Sequence, residues 1–347
     1  MEPTLINYEY PTSRELREIN PEKIQVLERN RPTFDIFPTT DSNAWWLEWT
    51  IRDNYRGFQQ LRGINGEPSY VKMQGARSFA AEPGVFGEYM TIDEKMMTQR
   101  ASMTPGAFEG APVNIDDLIV ERQDLLNARE IDLIEYIHWK ALLDGQFTFI
   151  GPTGAVYSDI FPIQTAIFSD WSDHVNSTPL ADFMALQLLS AGKSVSFGSQ
   201  AIVFMNAISV SNLLRNRNPA DLGGQMAYAQ GGVKPFKNLA EVNTLLNGFN
   251  LPTIVVYDEG YFAESTGTYT KWIPDDVISI VGARLNGDRL GEYRMVRNAN
   301  NSNFAPGRYE KVIDWGELRV PRLIEVHRGH NGGLVIYYGS AIVRAVC

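Results

Sequence analysis

The chain has 347 residues, of which 44% are hydrophobic and 21% are charged, and its formal net charge is -10. This balance predicts a folded chain of one large or two modest domains, and it argues against a sequence-specific nucleic-acid binder, which needs a basic surface. The one cysteine, Cys347, cannot form a disulfide within the chain, so we expect a reducing compartment. No signal peptide is apparent, and no apolar run approaches the roughly 18 residues of a membrane helix, so we expect no membrane partner.

The sequence of the first 98 residues predicts two extended segments, an arm and a protruding hairpin. Residues 1–41 are polar, contain five prolines and lack a periodic apolar stripe, which predicts an N-terminal arm with a short helix near 21–29. From residue 42 to 98, glycine recurs among aromatic and β-branched residues. This pattern predicts a long two-stranded β hairpin that protrudes as an extended loop.

Three tryptophans lie within five positions at the start of this loop. Each indole offers about 150–250 Å² of surface, and a lone hairpin cannot cover three of them. We therefore predict an assembly interface here, because large aromatic residues and arginine dominate interface energies. The predicted interface residues are Trp45, Trp46, Trp49, Arg52, Arg56 and Arg62. A sugar-binding platform made by the tryptophans is the alternative.

Residues 115–144 carry the clearest helix signal. Apolar residues recur near helical spacing, Asn114 is a good N-cap, and Asp116 and Asp117 complement the positive end of the helix dipole. Gly145 supplies the stop. About 30 residues at 1.5 Å each span roughly 45 Å, which is long for a globular helix, so we predict a strut.

Beyond this helix, short helices alternate with buried strands over residues 179–320, which predicts a compact α+β module. The predicted helices cover 179–192, 207–217 and 239–249, and the predicted strands cover 201–206, 253–258 and 272–282. The last segment, 321–347, predicts two apolar strands around a glycine-rich turn.

No pattern predicts a catalytic, cofactor or metal site, so we expect a protein that is not an enzyme. His327 and His330 flank a glycine without a carboxylate at ligand spacing, so an exposed polar turn is the favoured interpretation and a metal site the alternative. His138 is predicted to be a structural residue of the long helix. The stretch 151–154 lacks the Lys-Ser/Thr of a phosphate loop. Adjacent carboxylates at 275–276 would point to opposite faces of a strand and would not converge.

The order of these elements resembles the capsid fold of tailed bacteriophages first seen in Hong Kong 97. Two stretches resemble the lambda-type major capsid protein E family in particular. One is Ala141–Phe149, which leads to Gly151 and Gly154. The other is Asn250–Gly282, where a strand, a Tyr-containing polar hairpin, an apolar-Pro-Asp step and a strand ending in glycine follow in the family's order.

This resemblance implies hexamers and pentamers that close into an icosahedral shell around double-stranded DNA, without sequence-specific DNA binding. It implies a location in the virion after synthesis in the host cytoplasm, and possible scaffolding, cement or decoration, and portal partners. The implied domains are an N-terminal arm (1–41), an extended loop (42–98), a peripheral domain (99–178 and 321–347) with a spine helix (115–144), and an axial domain (179–320). An encapsulin-like nanocompartment shell, or a carbohydrate-active enzyme, are the alternatives.

Overall fold

The computed structural model describes residues 21–51, 59, 61–62, 64, 66–68, 77–97, 115–150, 156–218, 221, 238–263, 267–284, 287, 289–316 and 320–347. The chain divides into two compact units. Unit 1 draws on Met1–Leu47, Glu82–Glu135 and Tyr293–Leu334, and unit 2 draws on Glu48–Ala81, Tyr136–Glu292 and Val335–Cys347. Each unit is therefore assembled from segments that are distant in sequence.

The described helices are α1 (Pro21–Arg29), α2 (Pro32–Ile36), α3 (Ile115–Asp144), α4 (Pro179–Leu189), α5 (Ala207–Leu214) and α6 (Leu239–Gly248). The strands are β1 (Thr39–Asp41), β2 (Leu47–Ile51), β3 (Arg77–Ala81), β4 (Gly84–Asp93), β5 (Gln146–Ile150), β6 (Val156–Ile160), β7 (Gln164–Ile167), β8 (Val195–Ser196), β9 (Ile202–Met205), β10 (Thr253–Val256), β11 (Gly260–Ala263), β12 (Thr268–Lys271), β13 (Val277–Val281), β14 (Ala283–Arg284), β15 (Gly291–Met295), β16 (Tyr309–Asp314), β17 (Leu323–Ile336) and β18 (Ile342–Val346). The predicted α+β class is confirmed.

Unit 1 contains a five-stranded sheet built around β17. β4 and β16 pair with β17 in antiparallel fashion, β15 also neighbours β17, and β1 adds a parallel strand beside β15. Every second residue of β17 from Ile324 to Ile336 is buried, as the period of two in a strand predicts, and Gly329 and Val335 are buried as well. Apolar residues of α3, β4 and β17 pack together as the core of this unit. They are Leu118, Ile119, Leu126, Ile92, Ile324 and Val326.

Unit 2 contains a second five-stranded sheet in the order β10-β9-β13-β18-β7. β9 and β10 are parallel, so the chain between them must cross over, and it does so through α5 and α6. The central strand β13 is buried at all five positions. Asparagine side chains begin both crossover helices: Asn206 accepts from the Ser209 amide at 2.9 Å, and Asn238 accepts from the Glu241 amide at 3.0 Å.

The long helix predicted from the sequence is confirmed, and α3 spans Ile115–Asp144. Its end follows from Gly145, which has a φ of +64°, a conformation that suits glycine at a helix C-terminus. The predicted N-cap, Asn114, lies outside the described residues. Within the described part of the chain, no helix combines the length and apolar character needed to cross a bilayer.

The glycine-rich segment near the C-terminus was predicted as a turn between two strands, and this prediction is wrong. β17 runs unbroken for 14 residues through Gly329 and Gly332. The glycines are needed because neighbouring backbone comes close. A Cβ on Gly329 would lie 2.2 Å from the Phe86 carbonyl oxygen, and one on Gly332 would lie 2.7 Å from the Arg294 carbonyl oxygen.

The predicted extended loop, 42–98, contains two different structures. β2 and β3 form a two-stranded sheet of their own, as the hairpin prediction requires. β4 instead pairs with β17 over ten positions and is a strand of the unit 1 sheet. Its partner is more than 200 positions away in the sequence, so no local pattern could have separated it from the hairpin. The glycine stretch at 151–154 lies outside the described residues.

Candidate assembly surface

The predicted interface residues do not share one environment. In unit 1 the side chains of Trp45 and Trp46 are 65% and 42% exposed. Trp49 belongs to unit 2, where it is only 7% exposed and its ring stacks on Phe79 with centroids 5.5 Å apart. Trp49 is therefore an interior residue and not part of a free surface. Its burial follows from the alternation of β2, in which the preceding residue, Glu48, is exposed.

The three arginines of the predicted interface add little direct information. Arg62 is exposed, and its guanidinium donates to the Gly66 carbonyl at 3.4 Å. Arg52 and Arg56 lie outside the described residues. The role of these residues in assembly therefore stays a prediction, and the two exposed tryptophans are its firmest part.

The exposed tryptophans lie beside a second surface segment of unit 1. The Ser42 amide donates to the Met295 carbonyl at 2.7 Å, and the Arg297 amide donates to the Ala44 carbonyl at 3.4 Å. Trp45 follows directly in the chain. The backbone before the tryptophans therefore runs alongside the start of the segment 297–307, which we call the asparagine loop.

Buried amides hold the asparagine loop in shape. Asn298 and Asn301 are only 2% and 6% exposed. The Asn301 side-chain amide donates to the carbonyls of Ala305 at 3.0 Å and Gly307 at 3.3 Å, and the Asn300 backbone amide donates to the Asn298 side chain at 2.9 Å. These asparagine side chains satisfy backbone groups of a loop whose regular structure is limited to a short 3-10 helix, Ser302–Phe304, and a single bridge between Arg297 and Pro306.

The loop presents an aromatic side chain from an unfavourable backbone conformation. Phe304 has a φ of 54° and is 64% exposed, and Asn303 before it has a φ of 55°. Asparagine tolerates this left-handed region, whereas phenylalanine rarely adopts it, and such residues concentrate at functional sites. We call Trp45, Trp46 and Phe304 the aromatic patch. The sequence signal for Phe304, a phenylalanine after several asparagines, does not by itself predict an exposed side chain.

A buried network of charges lies within unit 1. Glu130 of α3 accepts from Arg308 at 3.1 Å and from Arg328 at 2.5 Å, and Arg308 also donates to Glu28 at 2.9 Å. Arg328 pairs in addition with Glu310. Burial by itself would raise the pKa of Glu130, but the charges of the two arginines and of the nearby histidine outweigh it and hold that pKa well below its usual range.

Ion pairs also fasten the described part of the arm to α3. Lys23 lies 2.8 Å from Asp124, and Arg31 lies 2.5 Å from Asp132 and pairs with Glu135 as well. The Glu135 side chain is 1% exposed, so this last pair is the most shielded from water. The charge network and these pairs together join the arm, α3, β16 and β17 within unit 1.

Comparison with known proteins identifies the fold. The sequence matches no protein-family model and no curated relative. A prophage protein from E. coli CFT073 that is assigned as a capsid protein matches 96% of this chain and 98% of its own with a TM-score of 0.58 at 14% identity. The chain has the fold of phage capsid proteins. A phage-related protein from Bordetella bronchiseptica RB50 gives a TM-score of 0.52 at 8% identity over 93% of this chain and 95% of that chain. A chain of Mycobacterium phage Patience gives 0.51 at 13% identity, over 94% and 85%.

Within this capsid fold, His327 and His330 do not form the exposed polar turn that the sequence predicted. His330 is fully buried, its Nδ1 lies 2.8 Å from a Glu130 oxygen, and its Nε2 lies 2.8 Å from the Tyr293 hydroxyl. His327 stacks on Tyr89 and lies 3.0 Å from Glu325. Among the residues that the structure describes, no group of three or more histidine, cysteine or acidic side chains could hold a metal ion.

The remaining titratable residues considered in the sequence occupy structural positions of the capsid fold. His138 is fully buried in α3, and burial lowers its pKa to about 3, so the ring is neutral at physiological pH. Asp275 accepts from the Asn206 side chain at 2.6 Å, while Asp276 has a φ of 61° in the turn before β13. These two carboxylates therefore belong to a helix cap and a turn.

Proposed function

We propose that this chain is the major capsid protein of a tailed bacteriophage and that it assembles as hexamers and pentamers into an icosahedral shell around double-stranded DNA. The observation that carries the proposal is the match to the E. coli CFT073 prophage protein, which extends over 96% of this chain and 98% of that one. The match runs along nearly the whole length of both chains, which supports a similar structural role. We accordingly propose a structural role and no catalytic one.

The uncovered apolar surface of unit 1 supports self-association. Trp45, Trp46 and Phe304 expose 65%, 42% and 64% of their side chains. At about 150–250 Å² per aromatic residue, the aromatic patch leaves roughly 300–400 Å² open to water. Exposed apolar area of this order on a single chain is often functional. The aromatic patch is one candidate for a contact between subunits, and the predicted interface arginines Arg52, Arg56 and Arg62 are another.

We retain the predicted division of labour as part of the proposal. The arm (1–41) and the β2–β3 part of the predicted extended loop (42–98) would reach neighbouring subunits, while β4 stays in the unit 1 sheet. The peripheral domain (99–178 and 321–347) would carry the spine helix, and the axial domain (179–320) would line the centre of each ring. Scaffolding, cement or decoration, and portal proteins are the expected partners. Because the chain carries a net charge of -10, its inner wall would hold DNA loosely and without sequence preference.

Electron microscopy of the purified protein tests this proposal. We expect rings of five or six subunits and closed shells, and we expect nuclease-resistant double-stranded DNA in particles taken from infected or induced cells. A stable monomer of 39.0 kDa at high protein concentration would refute the proposal. Shells that enclose an enzyme and no nucleic acid would identify a nanocompartment instead.

A further inference from the structure

Helix α1 and the two residues after it are held in unit 1 more by charge than by apolar contact. We call this segment, residues 21–31, the strap. Among the strap side chains that the structure describes, Ile24 is the one that is buried, and Val26 is 54% exposed. The described backbone groups of α1 bond within the strap, as in the hydrogen bond from the Arg31 amide to the Glu28 carbonyl at 3.0 Å. Side-chain ion pairs therefore provide most of the attachment of the strap to the rest of unit 1.

Two cations of the strap pair with carboxylates of α3. Lys23 lies 2.8 Å from Asp124. Arg31 lies 2.5 Å from Asp132 and also pairs with Glu135. Eight positions separate the two cations, and eight positions separate the two aspartates, so the strap runs along α3 in the same direction. The two segments are therefore matched in charge along their length.

A third ion pair joins the strap to the buried charge network of unit 1. Glu28 accepts from Arg308 at 2.9 Å, and Arg308 also donates to Glu130 at 3.1 Å. If the strap leaves, Arg308 therefore keeps a carboxylate partner. Breaking a buried ion pair is costly mainly because it leaves an unpaired charge behind. Departure of the strap avoids that cost at Arg308, so the strap can open without disrupting the network below it.

The segment that follows the strap, residues 33–41, is fastened by burial and by strand pairing, and we call it the anchor. Its buried side chains are Thr33, Phe34 and Phe37. β1 pairs with β15, and the Tyr293 amide donates to the Pro38 carbonyl at 3.1 Å. Pro32 begins α2 and separates the strap from the anchor. Salt weakens exposed ion pairs but not apolar burial, so the two segments should respond to salt differently.

We propose that the strap opens as a unit while the anchor stays in place, so that ionic conditions control whether this face of α3 is covered. α1 has nine residues, which is too short for a helix that persists alone in water. Once its ion pairs are broken, the strap loses its helical structure together with its position. Opening leaves the carboxylates of Asp124, Asp132 and Glu135 available to another cation. This motion belongs to the single subunit and goes beyond the proposed function.

Hydrogen–deuterium exchange of the full-length, unassembled subunit tests the proposal, with peptides from the strap, the anchor and β17 followed by mass spectrometry. Arg31→Gln should speed exchange of the strap about tenfold or more, because the Glu135 partner is 1% exposed. Lys23→Gln should speed it about two- to fivefold, because that pair is exposed. The matched control is Arg29→Gln: Arg29 is exposed and makes no ion pair with the described residues, so the strap should keep its rate. The anchor and β17 should keep wild-type rates in all three variants.

A wild-type exchange rate in the strap of Arg31→Gln would overturn the proposal, and so would equal acceleration of strap and anchor, since the whole arm would then open together. If Arg31→Gln does not fold, the wild-type chain decides. Between about 0.05 M and about 1 M NaCl the Debye length falls to about 3 Å, so exchange of the strap alone should rise about tenfold. A strap that ignores salt, or that accelerates together with the anchor, would overturn the proposal. The subunits are measured without particles, so a failure to assemble would refute the proposed function and leave this result unaffected.

Discussion

Replacing Glu130 by glutamine should be among the most destabilising single changes in unit 1. The change keeps the size of the side chain but removes the negative charge that Arg308 and Arg328 share. The Arg328 side chain is 2% exposed, so water cannot compensate the loss. Each arginine nevertheless keeps one carboxylate, Glu28 for Arg308 and Glu310 for Arg328.

The expected size of the effect follows from those remaining partners. Removing one member of a buried ion pair commonly costs about 3–5 kcal/mol, and because both arginines stay partly paired we expect the lower end, about 3 kcal/mol. The control is Asp124→Asn, which breaks the Lys23–Asp124 pair, whose side chains are 45% and 43% exposed. Exposed pairs contribute about 1 kcal/mol or less, so the control should change little.

Urea unfolding of the unassembled subunit, followed by tryptophan fluorescence, measures both variants. The pKa of Glu130 is lowered on folding, so its contribution is present above its ordinary value of 4.5 and is lost as the pH falls below that value. Wild type should therefore lose more unfolding free energy between pH 5 and acid conditions than Glu130→Gln does. Equal free energies for Glu130→Gln and Asp124→Asn at neutral pH would refute the reasoning.

The other predictions use matched pairs where the chain offers them. Trp49→Ala should destabilise the subunit by about 3–5 kcal/mol in the same unfolding assay, because its ring is buried. Trp46→Ala should leave the subunit folded but prevent closed shells in micrographs; normal shells would contradict this. Gly329→Ala should cost about 1–3 kcal/mol through backbone collision, whereas Gly248→Ala, whose Cβ would meet nothing within 4 Å, should cost nothing. Burial raises the pKa of the Cys347 thiol to about 12, so Cys347→Ser shells should melt like wild type, with or without reductant.

Local signals account for the parts of the fold that the sequence predicted well. α3 ends at Gly145 because a helix stop needs only one residue that accepts a positive φ. The strand at Ile202–Met205 and the helix that follows it were recognised because Asn206 separates a short apolar run from a helical one. In these cases the determining interactions lie within one or two turns of chain.

Other residues have environments that helix and strand patterns do not predict. The sequence predicts the same environment for Trp45, Trp46 and Trp49, because it does not reveal that Phe79 stacks on Trp49. Gly329 resembled a turn residue because the strand that approaches it, around Phe86, lies more than 200 positions earlier. The conformation of Phe304 depends on side-chain amides close to it in sequence, Asn298 and Asn301, but in a loop that follows no helix or strand period. Period and capping rules describe one element at a time, so they cannot supply such contacts.

The distribution of charge within unit 1 separates what holds the subunit together from what we propose joins subunits. Glu130, Arg308 and Arg328 place their charges inside the unit, where each charge pairs with an opposite one. These ion pairs fix how α3, β16 and β17 meet. The three side chains of the aromatic patch are uncharged, and the exposed Asp41 and Arg297 lie near them in the chain. A subunit with a net charge of -10 repels its copies at long range, so association must come from short-range apolar contact. The exposed side chains of Trp45, Trp46 and Phe304 are our candidates for that contact.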